Sequence, residues 1–321
     1  MKDTHNTPDV SVIIVNWNTR NLLMECLESF QEDMEQGICE VIVVDNGSSD
    51  GSADAVSAGI QGCILLRQQE NLGFARGNNV GIRRSKGRYV ALVNSDIVAQ
   101  KNCLKKMIAF MDQNPQVGLA GPKLLNKDRT YQMSCRRFPS LWNYLCMTLN
   151  LWKIFPEISW FNGEHMSYFK HDEVKMVDAL TGAFMMVQRE ALDRVGLLDE
   201  DYFIYSEEID WARRFHKAGY LVAFFSESEA IHYGRSSSNQ EPSRFYKEWY
   251  KSKMTYWEKH HGKYCRKIFV YITYLRQFIK LSKASLFYLI YPGQRTRTSD
   301  QIRGCIDVLS WLWCYGTTGS K

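Results

Sequence analysis

The chain has 321 residues, of which 45% are hydrophobic and 23% are charged, a composition that allows one large globular domain or two small ones. Nine cysteines are scattered without a CxxC pair. This argues against a disulfide framework or a structural zinc site and favours free thiols in a reducing compartment. Because the N-terminus is polar and no run of about 18 uncharged apolar residues occurs, we expect neither a secretory signal nor a transmembrane helix.

The net charge of +5 is unevenly distributed along the chain. Between Arg244 and Arg297 there are 13 Lys and Arg against 2 Asp and Glu, so the rest of the chain has a net charge of −6. This basic segment is also rich in aromatic residues. Such a segment is suited to an anionic surface, which is a membrane, a nucleic acid or a phosphorylated substrate.

Strands and helices alternate over the first third of the chain. Continuous apolar runs predict four buried strands, at 10–15, 40–44, 63–66 and 89–93. Helical spacing predicts helices at 21–30, 52–58, 71–84 and 104–111. The alternation predicts an α/β fold, with a mostly parallel central sheet flanked by helices.

Polar clusters follow three of the predicted strands. In a parallel sheet the ligand lies beyond the carboxyl ends of the strands, so these clusters are expected at one edge. Any one of them alone is ordinary loop composition, whereas three at one edge favour a polar ligand. The clusters are Asn16 with Asn18, Asp45 with Asn46, and Asn94 with Asp96.

The second half of the chain is less regular. Residues 141–171 are rich in Trp, Phe and Tyr and suggest an insertion or lid. An apolar pattern returns at 177–187, an acidic cluster leads into a helix at 195–214, and a strand is predicted at 220–225. We therefore expect an α/β domain at 1–240 and an amphipathic, basic and aromatic helical extension at 241–321.

Six motifs, in this order, resemble those of the family 2 nucleotide-sugar glycosyltransferases with the GT-A fold, over about residues 8–240. Within that family the chain looks most like bacterial rhamnosyltransferase-like enzymes. The motifs are VSVIIVNWN, VIVVDNGSSDGS, ENLGFARGNN, LVNSD, GLLDEDYFIYSEEIDWARR and AIHYGRSS.

The resemblance implies an inverting enzyme that moves a sugar, such as rhamnose, from a UDP- or dTDP-sugar to a polysaccharide or lipid-linked oligosaccharide. It also implies Mg²⁺ or Mn²⁺ as cofactor, because a divalent cation stabilises the diphosphate leaving group. The expected location is cytoplasmic, on the inner face of the cell membrane.

LVNSD resembles a variant of the DxD metal motif of the family. Asp96 is the expected metal anchor, and Asn94 would orient the donor ribose or a water molecule. Ser95 stands where close relatives are expected to have proline, which favours a looser loop. His232 is the second candidate metal ligand, although a lone histidine is also commonly structural.

The nucleotide-sugar site is expected to be formed by Asn16, Asn18, Asp45, Asn46, Arg76, Asn94 and Arg235. In the resemblance, Asp45 accepts the N3–H of a pyrimidine; the alternative is helix capping by Asp45 or Asp50. Arg76 is a candidate phosphate contact or a solvated surface residue.

An inverting transfer requires a general base for the acceptor hydroxyl. The resemblance places it at Glu208, where many relatives have Asp, with Asp210 as the second candidate. The alternative for both residues, and for Glu207, is stabilisation of the helix N-terminus.

Rival classes lack their motifs in this sequence. The turn after the first strand reads NWNTRN rather than GxGxxG, and no GxxxxGK[ST] motif occurs. A non-catalytic protein that binds membrane or nucleic acid through the basic segment remains the alternative. The favoured interpretation includes an anionic membrane and no nucleic acid, with Arg276, Lys280 and Lys283 on an amphipathic helix at 268–291. The alternative for this helix is packing on the catalytic domain with a solvated basic face.

Overall fold

The computed structural model describes residues 7–234 and 240–318. The chain divides into two compact units. The first comprises 1–138 and 165–240, and the second comprises 139–164 and 241–321. The aromatic segment 141–171 is thus divided between the units, and its role as a lid remains a prediction.

The first unit alternates strands and helices as expected. Its strands are β1 (Val10–Asn16), β2 (Cys39–Asp45), β3 (Ile64–Arg67), β4 (Tyr89–Asn94), β5 (Ile97–Ala99), β6 (Val117–Leu125), β7 (Tyr131–Gln132), β8 (Cys135–Arg136), β9 (Lys175–Val177), β10 (Ala179–Leu180), β11 (Phe184–Gln188) and β12 (Leu221–His232). Its helices are α1 (Arg20–Glu28), α2 (Gln31–Glu35), α3 (Ser52–Gly59), α4 (Phe74–Arg84), α5 (Cys103–Gln113), α8 (Arg189–Val195) and α9 (Glu207–Lys217). Helices α6 (Leu141–Thr148) and α7 (Leu151–Ile154) belong to the second unit.

One large sheet organises the first unit. Its order is β3-β2-β1-β4-β11-β6-β12-β5, with β7 on β6 and β9 on β12. Strands β1, β2, β3, β4, β6 and β12 run in one direction, and β11 runs against its neighbours β4 and β6. The predicted α/β class and mostly parallel sheet are confirmed.

Both faces of the sheet are covered, which explains the unbroken apolar run of β1. Val12 and Ile14 belong to the buried core that also includes Leu23 of α1 and Leu104 of α5. On the other face, a Cβ at Gly81 of α4 would collide with Cγ2 of Ile13. The helix therefore packs directly on the strand because position 81 has no side chain.

The second unit is helical. Its elements are α6 (Leu141–Thr148), α7 (Leu151–Ile154), α10 (Pro242–Ile290), a 3₁₀ turn (Pro292–Gln294) and α11 (Arg295–Thr318). Helix α10 is kinked at Gly262, whose φ of 81° is left-handed. Side chains of α6, α10 and α11 share one core that includes Tyr144, Trp257 and Leu312. Within the described residues, no helix is long and apolar enough to cross a membrane.

Candidate active site

The polar residues that end β1, β2 and β4 lie side by side at one edge of the sheet. In the parallel register Asn16 is opposite Asp45, and Val15 is opposite Asn94. The structure therefore brings together the strand-end residues that the sequence singled out. The main-chain N–H of Asn94 donates to Ala183 O at 2.9 Å, which connects this edge to the loop before β11.

Asp45 is held from two sides and is only 3% exposed. Asn16 Nδ2 donates to Asp45 Oδ1 at 3.1 Å, and the main-chain N–H of Ser48 donates to Oδ2 at 3.1 Å. Since Asn16 is itself buried on β1, the carboxylate has a fixed position at the strand ends. Each carboxylate oxygen has two acceptor sites, so the group can accept a further hydrogen bond from a ligand.

Asn18 and Asn46 connect neighbouring loops. Asn18 has a left-handed φ of 52°, and its Oδ1 accepts from the main-chain N–H of Ser49 at 2.8 Å. Asn46 Nδ2 donates to Gly73 O at 3.0 Å. Asn46 Oδ1 is buried and has no hydrogen-bond partner among the described residues. A buried acceptor without a partner is uncommon and is consistent with a donor supplied by a ligand.

Asp96 and His232 form a close pair. Strand β5 pairs antiparallel with β12 and places His232 opposite Ile97, next to Asp96 in the chain. His232 Nε2 lies 3.3 Å from Asp96 Oδ1, and the two side chains are 15% and 8% exposed. Two motifs separated by more than 130 residues thus meet at one point.

His232 is oriented by Gln132, a residue that the sequence analysis did not identify. Gln132 Nε2 donates to Asn126 Oδ1 at 2.9 Å and to His232 O at 3.3 Å, so its Oε1 is the acceptor that lies 2.6 Å from His232 Nδ1. In a neutral imidazole the proton is therefore on Nδ1, and the lone pair of Nε2 faces the Asp96 carboxylate.

This pair fits a divalent metal ion. A carboxylate oxygen and an imidazole nitrogen are ligands that Mn²⁺ accepts, and a cation between them would satisfy both acceptors. Among the described residues no group of three or more His, Cys, Asp or Glu is arranged to hold a metal. An ion at Asp96 and His232 would thus complete its coordination with substrate phosphate and water, as Mg²⁺ commonly does.

The loop that carries Asp96 is fixed at Ser95. The hydroxyls of Ser95 and Thr19 are 2.7 Å apart, and Thr19 Oγ1 also donates to Asn16 Oδ1 at 2.7 Å. Ser95 is 6% exposed. A buried hydroxyl pair therefore ties the loop that carries Asp96 to the end of β1.

The acidic helix α9 begins next to the same edge. Tyr205 and Ser206 precede it with left-handed φ values of 71° and 69°, a conformation that costs non-glycine residues about 1 kcal/mol or more each. A Cβ placed on Gly182 would lie 3.6 Å from Cβ of Glu208. Since Ala183 bonds to Asn94, Glu208 is adjacent to the loop that contacts the strand ends.

The three acids of α9 differ in environment. Asp210 is fully buried, with Oδ2 3.0 Å from Arg214 Nε, and Arg214 also donates to Val195 O and Leu197 O. Glu207 is buried, and this burial, followed by the charge of Glu208, raises the pKa of the Glu207 carboxyl well above its usual range. Glu208 is the most exposed of the three.

Arg76 and Arg235 are the two arginines that were expected in the nucleotide-sugar site. Arg76 Nε lies 3.3 Å from Glu200 Oε2, and the Arg76 side chain is half exposed. Glu200 also accepts hydrogen bonds from Asn79 and Arg83, so it contacts three polar side chains of α4. Arg235 lies outside the described residues.

The chain is similar to a known protein family, to known protein sequences and to solved structures. The model of the family "Glycosyl transferase family 2" matches residues 11–176. The chain is similar to the N-acetylglucosaminyl-diphospho-decaprenol L-rhamnosyltransferase of Mycobacterium tuberculosis, with 26% identity over 248 residues, 74% of this chain and 80% of the relative. It is also similar to the dTDP-rhamnosyl transferase RfbF of Shigella flexneri, with 26% identity over 229 residues, 70% of this chain and 69% of the relative.

Among solved structures, the chain resembles the mannosyltransferase PcManGT from Pyrobaculum calidifontis, solved in complex with GDP-Man and Mn²⁺. The TM-score is 0.54 at 16% identity, and the likeness covers 95% of this chain and 87% of that one. At 16% identity, this likeness shows a shared fold alone.

Proposed function

The chain belongs to glycosyl transferase family 2 and has the GT-A fold expected from its motifs, and from this premise we propose that it is an inverting, metal-dependent enzyme. We propose that it moves a sugar of the rhamnose type from a UDP- or dTDP-sugar to a polysaccharide or lipid-diphosphate-linked acceptor. The observation that carries the proposal is the meeting of Asp96 with His232, 3.3 Å apart, at the edge where β1, β2 and β4 end.

The names of the relatives support the sugar and the acceptor class. One relative is named for dTDP-rhamnose, and the other for transfer of L-rhamnose to N-acetylglucosaminyl-diphospho-decaprenol. Both align with about three quarters of this chain. An acceptor of this kind is presented at a membrane, so we also propose a peripheral location on the inner face of the membrane.

In the proposed mechanism, Asp96 and His232 would hold a divalent cation, and this cation would supply positive charge that stabilises the diphosphate leaving group. Gln132 keeps the proton of His232 on Nδ1 and so directs Nε2 towards the metal position. Asp45 receives the base edge of the nucleotide, and the buried Oδ1 of Asn46 accepts from the donor sugar or ribose. Asn94, at the end of β4 and two residues before Asp96, orients the ribose.

Glu208 is the proposed general base. It takes the proton of the acceptor hydroxyl while that oxygen forms a bond to the anomeric carbon, and the bond from this carbon to the diphosphate breaks on the opposite side. Asp210 is less suited because its carboxylate is fully buried in an ion pair with Arg214. Glu207 is less suited because it is buried, and this burial together with the charge of Glu208 raises the pKa of its carboxyl.

A transfer assay tests the proposed function. With dTDP-rhamnose, a polyprenyl-diphosphate-linked N-acetylglucosamine and Mn²⁺, the protein should form a glycosylated lipid whose new bond has the anomeric configuration opposite to that of the donor. Excess chelator should stop the reaction. A non-catalytic protein that binds membrane through its basic segment would turn over no member of a panel of nucleotide sugars under any metal condition, and that result would refute the proposal.

The nucleotide class is a separate prediction. Because Asp45 is fixed by Asn16 and Ser48, it is expected to accept N3–H of a pyrimidine, so dTDP or UDP should bind more tightly than GDP or ADP. Loss of a hydrogen bond to a charged group should weaken dTDP binding by about 10- to 100-fold in Asp45→Ala. Isothermal titration calorimetry with Mn²⁺ measures both effects, and GDP belongs in the panel because PcManGT was solved with GDP-Man.

Asp54→Ala is the matched control for this test, since Asp54 follows the same strand but is exposed and pairs with Arg67 at 2.8 Å. It should bind dTDP like the wild type. A preference for purine nucleotides, or unchanged dTDP affinity in Asp45→Ala, would overturn the assignment of Asp45.

A further inference from the structure

The part of α10 after Gly262 has an apolar face that is exposed. Large hydrophobic side chains recur there at intervals of four and three residues from Tyr264 to Phe278 and again at Leu286 and Leu289, so they share one face of the helix. They are Tyr264, Ile268, Tyr271, Leu275, Phe278, Leu286 and Leu289, with exposures from 45% to 83%. We call these seven residues the apolar stripe. The opposite face, which includes Phe269, Thr273 and Gln277, is buried in the core of the second unit.

The stripe contains no charged residue, and basic residues lie beside it. At about 100° per residue, Lys263 and Lys267 are on one side and Lys283 on the other. No Asp or Glu occurs between Lys259 and Ser299. The helix therefore presents an apolar face to the outside, with two lysines along one side of it and one lysine along the other.

Two basic residues that the sequence suggested for membrane contact, Arg276 and Lys280, instead contact aromatic side chains of the helical unit. The Arg276 guanidinium lies over the ring of Tyr144, 5.8 Å from its centroid, and Lys280 Nζ donates to Tyr246 OH at 3.3 Å. Both side chains are thus directed along the helical unit. Lys283 is exposed and borders the stripe.

The second unit carries most of the exposed large hydrophobic residues of the described chain. It holds 19 of the 23, although it contains about a third of the sequence. Besides the stripe, they include Trp142, Leu149, Ile154, Phe155, Ile158 and Trp160 of the segment 139–164. Contiguous exposed apolar surface of this kind marks an interaction site.

Charge complementarity distinguishes the possible occupants of the stripe. A second copy of the chain would bring two acid-free, lysine-bordered surfaces together, and the like charges would repel. An anionic membrane surface offers an apolar boundary for the stripe and negative headgroups for the lysines, and Tyr rings are suited to the interface.

We propose that the apolar stripe of α10 lies flat on an anionic membrane, with Lys263, Lys267 and Lys283 at the level of the lipid headgroups. The helix does not cross the bilayer, in agreement with the absence of a spanning helix among the described residues. The proposal rests on the surface of the helical unit and does not depend on the transferase activity.

Vesicle flotation tests it with the full chain. The wild-type protein should float with vesicles of equal parts phosphatidylcholine and phosphatidylglycerol at low salt, and more weakly with phosphatidylcholine alone. The variant Tyr271→Ser/Leu275→Ser/Phe278→Ser should lose binding by at least about 100-fold, since three large apolar side chains no longer leave water. Lys263→Glu/Lys267→Glu should lose at least about fivefold per residue on the anionic vesicles alone.

The matched control is Met133→Ser/Val174→Ser/Met176→Ser, which removes three exposed hydrophobic side chains of the first unit and should float like the wild type. Should the triple stripe variant fold poorly, Phe278→Ser alone supplies the readout, because that side chain is 66% exposed. No flotation of the wild type, or equal flotation of the stripe variant, would overturn the proposal. So would a wild-type dimer in sedimentation equilibrium that the stripe variant cannot form, with no vesicle binding, because the occupant would then be a second copy.

Discussion

Asp96→Ala is expected to reduce metal-dependent donor turnover by on the order of 10³-fold or more, with the fold intact. The Asp96 side chain is 8% exposed and its Oδ1 lies 3.3 Å from His232 Nε2, so the substitution removes one of the two proposed metal ligands. Stabilisation of a leaving diphosphate by a cation contributes several kcal/mol, and each 1.36 kcal/mol corresponds to about tenfold in rate. Measurement of kcat/KM against Mn²⁺ concentration, with a thermal melt for the fold, checks this.

Gln132→Leu is expected to affect the same metal site more weakly than Asp96→Ala. It keeps Asp96 and His232 but removes the acceptor 2.6 Å from His232 Nδ1. Loss of such an orienting partner typically weakens metal affinity by about 10- to 100-fold. Mn²⁺ binding followed by electron paramagnetic resonance gives a readout independent of activity. Full turnover by Asp96→Ala, or by the wild type in excess chelator, would contradict the metal assignment.

Glu208→Gln is expected to lower the transfer rate by about 10²- to 10⁴-fold while donor and metal affinities stay near those of the wild type. The substitution keeps the shape of the side chain beside Gly182 and removes its basicity. Single-turnover rates of transfer, together with calorimetric affinity for dTDP, separate loss of the base from loss of binding.

Two neighbouring substitutions serve as controls for the base. Glu207→Gln should be milder, because Glu207 is only 3% exposed and Glu208 is the more exposed of the two carboxylates. Asp210→Asn should lower stability, because Arg214 loses its buried partner, and its rate must be referred to the folded fraction. Near wild-type transfer by Glu208→Gln, with an inactive folded Asp210→Asn, would move the base by two residues. A product that retains the configuration of the donor would exclude single displacement.

Much of the first unit could be predicted because its strands have strong local signals. The apolar runs of β1, β2 and β4 are continuous, and each ends at an Asn or Asp, so parallel pairing was enough to bring Asn16, Asp45 and Asn94 together. The position of β11 could not be predicted in this way. Its apolar run is as suited to an edge as to the centre, and its place between β4 and β6 depends on contacts far apart in sequence.

The site shows the same division between local and distant signals. The pair of Asp210 and Arg214, four residues apart on a helix, follows from spacing alone. Gln132 lies on a two-residue strand with no periodicity, and its role depends on the pairing of β7 with β6 and of β6 with β12. The assignment of 139–164 to the helical unit likewise depends on tertiary packing, because its aromatic residues have no regular spacing.

The central position of β11 has a consequence for synthesis of the chain. Strands β4 and β6 are complete once residue 125 has left the ribosome, but the strand that joins them begins at Phe184. Until that strand emerges, two strands in the middle of the sheet present unpaired main-chain N–H and C=O groups, which are templates for aggregation. The facing edges of β4 and β6 therefore stay unpaired for roughly sixty residues of translation.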